Sequence, residues 1–247
     1  MTDYIWGFVG PVAGSSEGRM EDRPQPLLPP NIVEITAGLG ISDYTPEGVD
    51  EAIGRYWDCV ERLKQQGAQR IVLGGVPISS QLGRPRVLEL LERTQTKAGL
   101  PADSTNEAII AALEFLGIRQ IAIASRWAEQ LNQAMSSYLE RAGIEIGAVT
   151  SEGQWASEAF SMSIERGFVL AMRLGREAMK KSPQARALVL PGGTWRSLAA
   201  VPLLEEEFGV PVLTNGLVTA WRFINEGLAP PVEGWGRLLA CKPGNQT

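Results

Sequence analysis

The sequence predicts an α/β fold of two pseudo-symmetric halves, each a mainly parallel sheet flanked by helices, with a ligand site in the cleft between them. Three observations predict it. Short apolar runs of strand type alternate with helical runs along the chain, the wiring of parallel sheets with helices on both faces. One strand-and-turn unit occurs twice, as AQRIVLGGVP over 68–77 and as ARALVLPGGT over 185–194. Each copy leads through a helical run to a further strand announced by Gly-X-Pro: Gly99-Leu100-Pro101 in one half, Gly209-Val210-Pro211 in the other. Read as an internal duplication, the repeat puts Gly75 and Gly192 in equivalent places at the C-terminal ends of their strands. Ligands of α/β sheets bind at those ends. The expected halves are 1–115 and 116–230, with elements near 215–247 exchanged into the first, and neither is an independent domain.

In chain order, 4–10 (YIWGFVG) reads as the first strand. Residues 13–30 hold Glu17, Arg19, Glu21, Asp22, Arg23 and four prolines. Proline lacks the N–H donor and restricts its neighbour, so this reads as a long loop, and such loops are usually functional or mobile. A second strand follows at 32–36. Thr45-Pro46 opens a helix over 46–66, with Thr as N-cap and Pro in the first turn. Its apolar positions 49, 53, 56, 57, 60 and 63 keep helical spacing. After the first repeated strand comes a helix over 84–98. Asp103, Ser104, Thr105 and Asn106 then supply capping groups before the helical run 108–116. A strand over 120–125, a helix over 127–142 and a strand over 144–149 follow. A long helix is expected over 157–180, with Gly167 and Gly175 as candidate breaks. After the second repeated strand come a helix over 195–208, a strand over 210–213 and a helix from Thr214-Asn215-Gly216 to Asn225. The tail, 230–247, reads as irregular. The halves are Rossmann-like in wiring, but no strand ends in G-x-G-x-x-G and no P-loop is present, which argues against a dinucleotide fold.

Composition narrows the chemistry. The chain has no histidine, which removes imidazole bases, Ser-His-Asp and Cys-His catalysis, and histidine-ligated zinc. Its two cysteines, Cys59 and Cys241, are too few for a zinc site and read as inert. No metal or cofactor is expected. A net charge of −5 argues against nucleic acid or an anionic membrane as partner. No apolar run nears the roughly 20 residues of a membrane span, and Met1-Thr2-Asp3-Tyr4 opens without a basic region before an apolar one. The expected compartment is the cytoplasm, with assembly into a homo-oligomer left open.

With Ala37-Gly38-Leu39-Gly40, Thr45-Pro46-Glu47-Gly48, Gln66-Gly67-Ala68, the two Gly-X-Pro motifs and Gly192-Gly193 in hand, the chain resembles the Asp/Glu racemase superfamily over nearly its whole length. The arylmalonate decarboxylase and maleate isomerase branches lie nearest, and a branch linked to ectoine utilisation has the same look. The resemblance implies cofactor-independent chemistry next to a carboxylate, with a cysteine after each repeated strand as acid and base in the racemases, a cysteine nucleophile in maleate isomerase, and only the second cysteine, a proton donor, in arylmalonate decarboxylase. Here the first cysteine position falls on Gly75 and the second on Gly192. The small hydroxyl residues that follow the first position in the decarboxylases fall on Val76 and Pro77. An aromatic hydroxyl after the middle strand falls on Trp127.

Two functions remain open. One is a lyase or isomerase, decarboxylase-like, acting at the carbon next to a carboxylate of a small organic acid without the usual cysteine. Its catalytic candidates are Ser79 and Thr194, with the acidic loop around Glu17. Candidates for substrate binding are Gly75, Val76, Ser104, Thr105, Trp127, Gly192, Gly193 and Asn215, with Ser80 and Ser197 as further donors. Val76 and Trp127 make the expected site more apolar, suiting a substrate bulkier than aspartate or glutamate. The other function is a non-catalytic carboxylate-binding or regulatory protein of the same fold. Both take a small carboxylate as ligand.

Overall fold

The computed structural model describes residues 3–12, 27–155, 162–193 and 195–241. Glu17 and Thr194 lie outside the described residues. Packing divides the chain into two compact units, Met1–Glu107 and Ala108–Thr247, each with its own four-stranded parallel sheet.

The first unit runs β1 (Tyr4–Gly10), β2 (Ile32–Gly38), α1 (Pro46–Ile53), α2 (Tyr56–Gln65), β3 (Ile71–Leu73), α3 (Val76–Leu82), α4 (Arg84–Ala98) and β4 (Ala102–Ser104), and ends within α5 (Thr105–Phe115). Its strand order is β2-β1-β3-β4. β3 is buried along its whole length, as a strand covered on both faces must be. Thr45 caps α1 as expected, its Oγ1 accepting from the Gly48 N–H at 3.2 Å. The single helix expected over 46–66 is two helices. Gly54, a poor helix former, donates to the Glu51 carbonyl at 3.3 Å. Arg55 turns its side chain back to donate from Nε to the Leu39 carbonyl and from Nη2 to the Gly40 carbonyl, at 2.5 and 3.1 Å. This ties the break to the exit of β2. Sequence reading also missed α3, a short helix with Pro77 in its first turn, where the missing N–H costs nothing.

The second unit continues with β5 (Gln120–Trp127), α6 (Glu129–Glu140), β6 (Glu145–Gln154), α7 (Ile164–Lys181), β7 (Ala187–Leu190), α8 (Val201–Phe208), β8 (Val212–Thr214), α9 (Asn215–Asn225) and α10 (Arg237–Ala240). Its order, β6-β5-β7-β8, repeats that of the first unit strand for strand. β5 runs to Trp127, into the expected helix, because β6 extends beside it and pairs Trp127 with Gln154. α7 starts at Ile164, capped by the Ser163 hydroxyl. Residues 156–161 of the helix expected there lie outside the described residues. α8 starts six residues late. Trp195 and Ser197 form a turn instead, with the Trp195 indole N–H donating to the Gly167 carbonyl at 3.0 Å. The tail is not irregular throughout: Leu238 and Leu239 of α10 are fully buried, and the Leu239 carbonyl accepts from the Val232 N–H at 2.9 Å.

The duplication extends to register. Leu73 pairs with Ser104 and Leu190 with Thr214. In both units the last residue of the fourth strand caps the helix that follows. Ser104 Oγ accepts from the Glu107 N–H at 3.2 Å, and Thr214 Oγ1 from the Leu217 N–H at 3.3 Å. Among the described residues no helix is long and apolar enough to cross a membrane.

Candidate functional site

In the first unit β3 ends at Leu73, and Gly74-Gly75 turns the chain into α3. Gly75 has φ +87°, the left-handed region where a side chain is strained. Any Cβ there would also meet Ile78 Cδ1 at 2.9 Å. Val76 is fully buried. Ser79 lies one helical turn on, its N–H donating to the Gly75 carbonyl at 3.2 Å. Its hydroxyl is wholly buried and has no hydrogen-bond partner among the described residues. Ser80 differs: its Oγ accepts from Asn106 Nδ2 at 3.0 Å. Ser104, which caps α5, and Thr105, its first residue, are both buried. Strand pairing sets the ends of β3 and β4 side by side. Gly75, Val76, Ser79, Ser104 and Thr105 therefore belong to one end of one sheet.

In the second unit three segments end together, because β7 pairs with both β5 and β8. Gly192, at φ +119°, turns the chain after β7. Its N–H donates to Asn215 Oδ1 at 3.1 Å, and a Cβ on Gly193 would lie 3.8 Å from Asn215 Nδ2. A Cβ on Gly192 would lie 3.4 Å from Trp127 Cζ2 and 3.7 Å from both Nε and Nη2 of Arg126. Trp127, Gly192, Gly193 and Asn215, four of the expected residues, thus share one strand end. Trp127 is held from several sides. Its N–H donates to Ser125 Oγ at 3.1 Å, and its carbonyl accepts from Asn132 Nδ2 at 2.8 Å and from the Ser151 hydroxyl. Ser125 in turn donates to Asn132 Oδ1 at 2.5 Å. Ser197 is buried with its N–H on the Trp195 carbonyl.

Sequence reading missed Arg126. It is 2% exposed, a permanent cation buried in that strand end. The signal is a basic residue directly after the run IAIAS, one position beyond the strand expected over 120–125. In a sheet covered on both faces a charge at that position is buried, and buried arginine is rare.

The two thiols lie elsewhere. Cys59 sits on α2, donating from Sγ to the Gly38 carbonyl at 3.4 Å. Burial pushes its thiol up, against the lowering effect of Arg62. Cys241 follows α10 and donates to the Arg237 carbonyl at 3.3 Å. It too is raised, by burial first and then by Glu205. Both are therefore protonated at neutral pH, whereas a nucleophilic cysteine acts as the thiolate. Among the described residues no three of His, Cys, Asp and Glu are grouped to hold a metal ion.

Comparison with known proteins agrees with the fold. The family model for arylmalonate decarboxylase matches residues 9–239. The chain is 28% identical over 215 residues to arylmalonate decarboxylase of Bordetella bronchiseptica, covering 86% of this chain and 88% of the relative. A crystal structure of a double mutant of arylmalonate decarboxylase in liganded form superposes with a TM-score of 0.83 at 26% identity, over 95% of this chain and 97% of that one. A mutant maleate cis-trans isomerase of Nocardia farcinica with a covalently bound succinylcysteine intermediate shares the fold, with a TM-score of 0.80 at 21% identity over 96% of this chain and 98% of that one.

Proposed function

Because the chain belongs to the arylmalonate decarboxylase family, we propose that it is an enzyme that works at the carbon next to a carboxylate of a small organic acid, without a thiol and without a cofactor. The family points to decarboxylase- or isomerase-type activity at such a carbon. The substrate in this reading is a malonate-type dicarboxylate with an apolar substituent, which the buried Trp127 beside Gly192 suits.

Decarboxylation asks little of covalent chemistry. The bond from the α-carbon to one carboxylate breaks, CO₂ departs, and the electron pair spreads into the remaining carboxylate as an enediolate. Preorganised donors stabilise that charge, and here the donors are the Gly193 N–H and Asn215 Nδ2. The α-carbon then takes a proton from a hydroxyl, whose alkoxide recovers one from water. The net change is loss of CO₂ and gain of one solvent proton.

Ser79 carries the thiol-free reading. A buried hydroxyl with no partner costs about 1–3 kcal/mol of desolvation, and a catalytic role is one of the reasons such groups persist. It lies one turn from Gly75, where the resemblance to the racemases puts the first of their two cysteines. Thr194 is the second candidate hydroxyl.

The experiment is proton NMR in D₂O with phenylmalonate, alkylmalonates and maleate. Decarboxylation with one deuterium gained at the α-carbon, or isomerisation, is the expected result. Binding without CO₂ release or α-exchange would overturn the enzyme reading. It would favour a carboxylate-binding or regulatory protein, for which glycine at both strand-end turns and the absence of histidine speak.

A further inference from the structure

We propose that Asn106 is a positioning residue for the reaction: through Ser80 it fixes the short helix α3, and so aims the neighbouring Ser79 hydroxyl. The proposal rests on the reading that Ser79 delivers the proton, and adds what holds that hydroxyl in place.

α3 has seven residues, Val76–Leu82, too few to be stable through its own backbone hydrogen bonds. Val76, Pro77 and Ile78 bury it, but apolar packing is non-directional. Its ends are Gly75 and Gly83, the least restrained kind of residue. Direction comes from two side-chain ties on consecutive residues. Ser80 Oγ accepts from Asn106 Nδ2 at 3.0 Å, and Gln81 Nε2 donates to the Tyr44 carbonyl at 2.8 Å. The first tie is fully buried and the second only partly, and a hydrogen bond is stronger in the low dielectric of the interior. Residues 79 and 80 turn together on one helix. The tie at Ser80 therefore sets the direction of the Ser79 side chain, whose hydroxyl has no partner of its own among the described residues.

Asn106 is a firm point of attachment. It is the second residue of α5, two places after Ser104, which pairs with Leu73 of β3 and caps the helix through the Glu107 N–H. The bond to Ser80 thus refers α3 to the sheet. The fold itself does not ask for an amide there. Strand register makes Ser104 equivalent to Thr214, and two places after Thr214 stands Gly216, within an intact α9. Nor is the amide a cheap filling. Asn106 is 0% exposed and its Oδ1 has no partner among the described residues, a cost that an apolar side chain would avoid. Orientation of α3 is what the amide supplies in return.

The test is a double-mutant cycle on CO₂ release from phenylmalonate. The proteins are the wild type, Ser79→Ala, Asn106→Leu and Ser80→Ala, with each of the last two also made in the Ser79→Ala background. Folding is checked by circular dichroism. Asn106→Leu keeps the size and loses the hydrogen bond. It should lower kcat on the order of 10- to 100-fold, the effect of misplacing a reacting group, with KM near the wild-type value, and Ser80→Ala should act alike. In the Ser79→Ala background the same two changes should alter kcat by less than about 2-fold, because no hydroxyl is left to misplace. Equal factors in both backgrounds would mean general loosening and overturn the proposal. A folded Asn106→Leu protein with wild-type kcat does so too, and if Asn106→Leu does not fold, Ser80→Ala decides in its place. Wild-type kcat in Ser79→Ala removes Ser79 and this proposal while leaving the enzyme. A wild type that turns over neither phenylmalonate, alkylmalonates nor maleate removes the enzyme reading itself, and Asn106 with it.

Discussion

Gly192 and Asn215 are joined by a hydrogen bond from the Gly192 N–H to Oδ1 of Asn215, at 3.1 Å. The bond fixes the orientation of the side-chain amide, so Nδ2 is the atom turned toward Gly193. Asn215→Asp keeps the acceptor but replaces the donor with a negative charge. It should fold with near-wild-type stability and bind phenylmalonate on the order of 10-fold or more weakly. Asn215→Ala strips the buried Gly192 N–H of its partner and should cost about 1 kcal/mol of stability. Paired denaturation and calorimetry distinguish the two effects, and an Asn215→Asp protein that binds normally would remove Asn215 from the ligand site.

The approach of Arg126 to Gly192 is testable without any ligand. Gly192→Cys puts a sulfur beside a permanent cation, and a neighbouring cation lowers a thiol below its usual pKa of about 8.5. Alkylation by iodoacetamide across pH should therefore show an early-titrating thiol, returning toward the ordinary value in the double variant with Arg126→Gln. The variant should also lose about 1–2 kcal/mol of stability, because φ +119° disfavours any side chain. A thiol that titrates alike in both backgrounds would contradict the geometry.

Much of this was legible in the chain. Repeated motifs at 68–77 and 185–194 foretold two sheets with the same strand order, and Gly75 and Gly192 do occupy matching turns. Periodicity failed where tertiary contacts decide. Gly54 breaks a helix whose apolar stripe runs on unbroken, because Arg55 finds carbonyls at the exit of β2. Strand β5 outruns its apolar pattern because β6 lies alongside. Arg126 was passed over for the same reason: a charged residue reads as surface until a neighbouring strand is known to cover it. Thr194 and Glu17, both chosen from sequence, fall outside the described residues.

In the first unit, Thr94 Oγ1 donates to the Leu90 carbonyl at 2.7 Å and lies 2.9 Å from the Tyr56 hydroxyl. Since threonine has one hydroxyl proton, Tyr56 is the donor in that pair. Burial lifts the phenol to about 12. Removing the acceptor with Thr94→Val strands a buried donor and should cost about 1–3 kcal/mol, whereas Tyr56→Phe should cost about 0.5–1.5 kcal/mol. Because the folded value lies above the ordinary 10, this group's contribution to stability is full below pH about 10 and lost as pH rises through about 12. Tyrosinate absorbance titration checks it: one tyrosine should ionise two units late.

Glu205 shows the opposite side of burial. Its Oε1 accepts from the Val212 N–H at 2.9 Å and its Oε2 from the Arg237 N–H at 2.8 Å, tying α8 to β8 and α10. Burial raises its carboxyl despite these donors. A raised folded value means that the native state holds the proton more tightly than the unfolded chain. This contribution is therefore full below the unfolded value of about 4.3 and declines as pH rises through the folded one. Glu205→Gln has no such titration and puts an amide N–H against one of the two backbone donors. The stability advantage of wild type over Glu205→Gln should be largest in acid and shrink toward neutrality, measured as a difference in Tm across pH. An advantage that grows with pH would reverse the sign of this argument.

Ser79→Ala separates structure from chemistry in a single variant. If the Ser79 hydroxyl served packing alone, its removal would lower stability and leave turnover intact. Because the hydroxyl is fully buried with no partner among the described residues, alanine gives up no hydrogen bond and sheds a desolvated polar group. Alanine is also the better helix former. Stability should therefore hold or rise, by up to about 1 kcal/mol. Losing a positioned proton donor typically costs 10²–10⁴-fold in rate, so kcat for phenylmalonate should fall on that order while KM stays near the wild-type value. Unchanged kcat with a stable Ser79→Ala protein would take proton delivery away from Ser79 and return it to water or to Thr194.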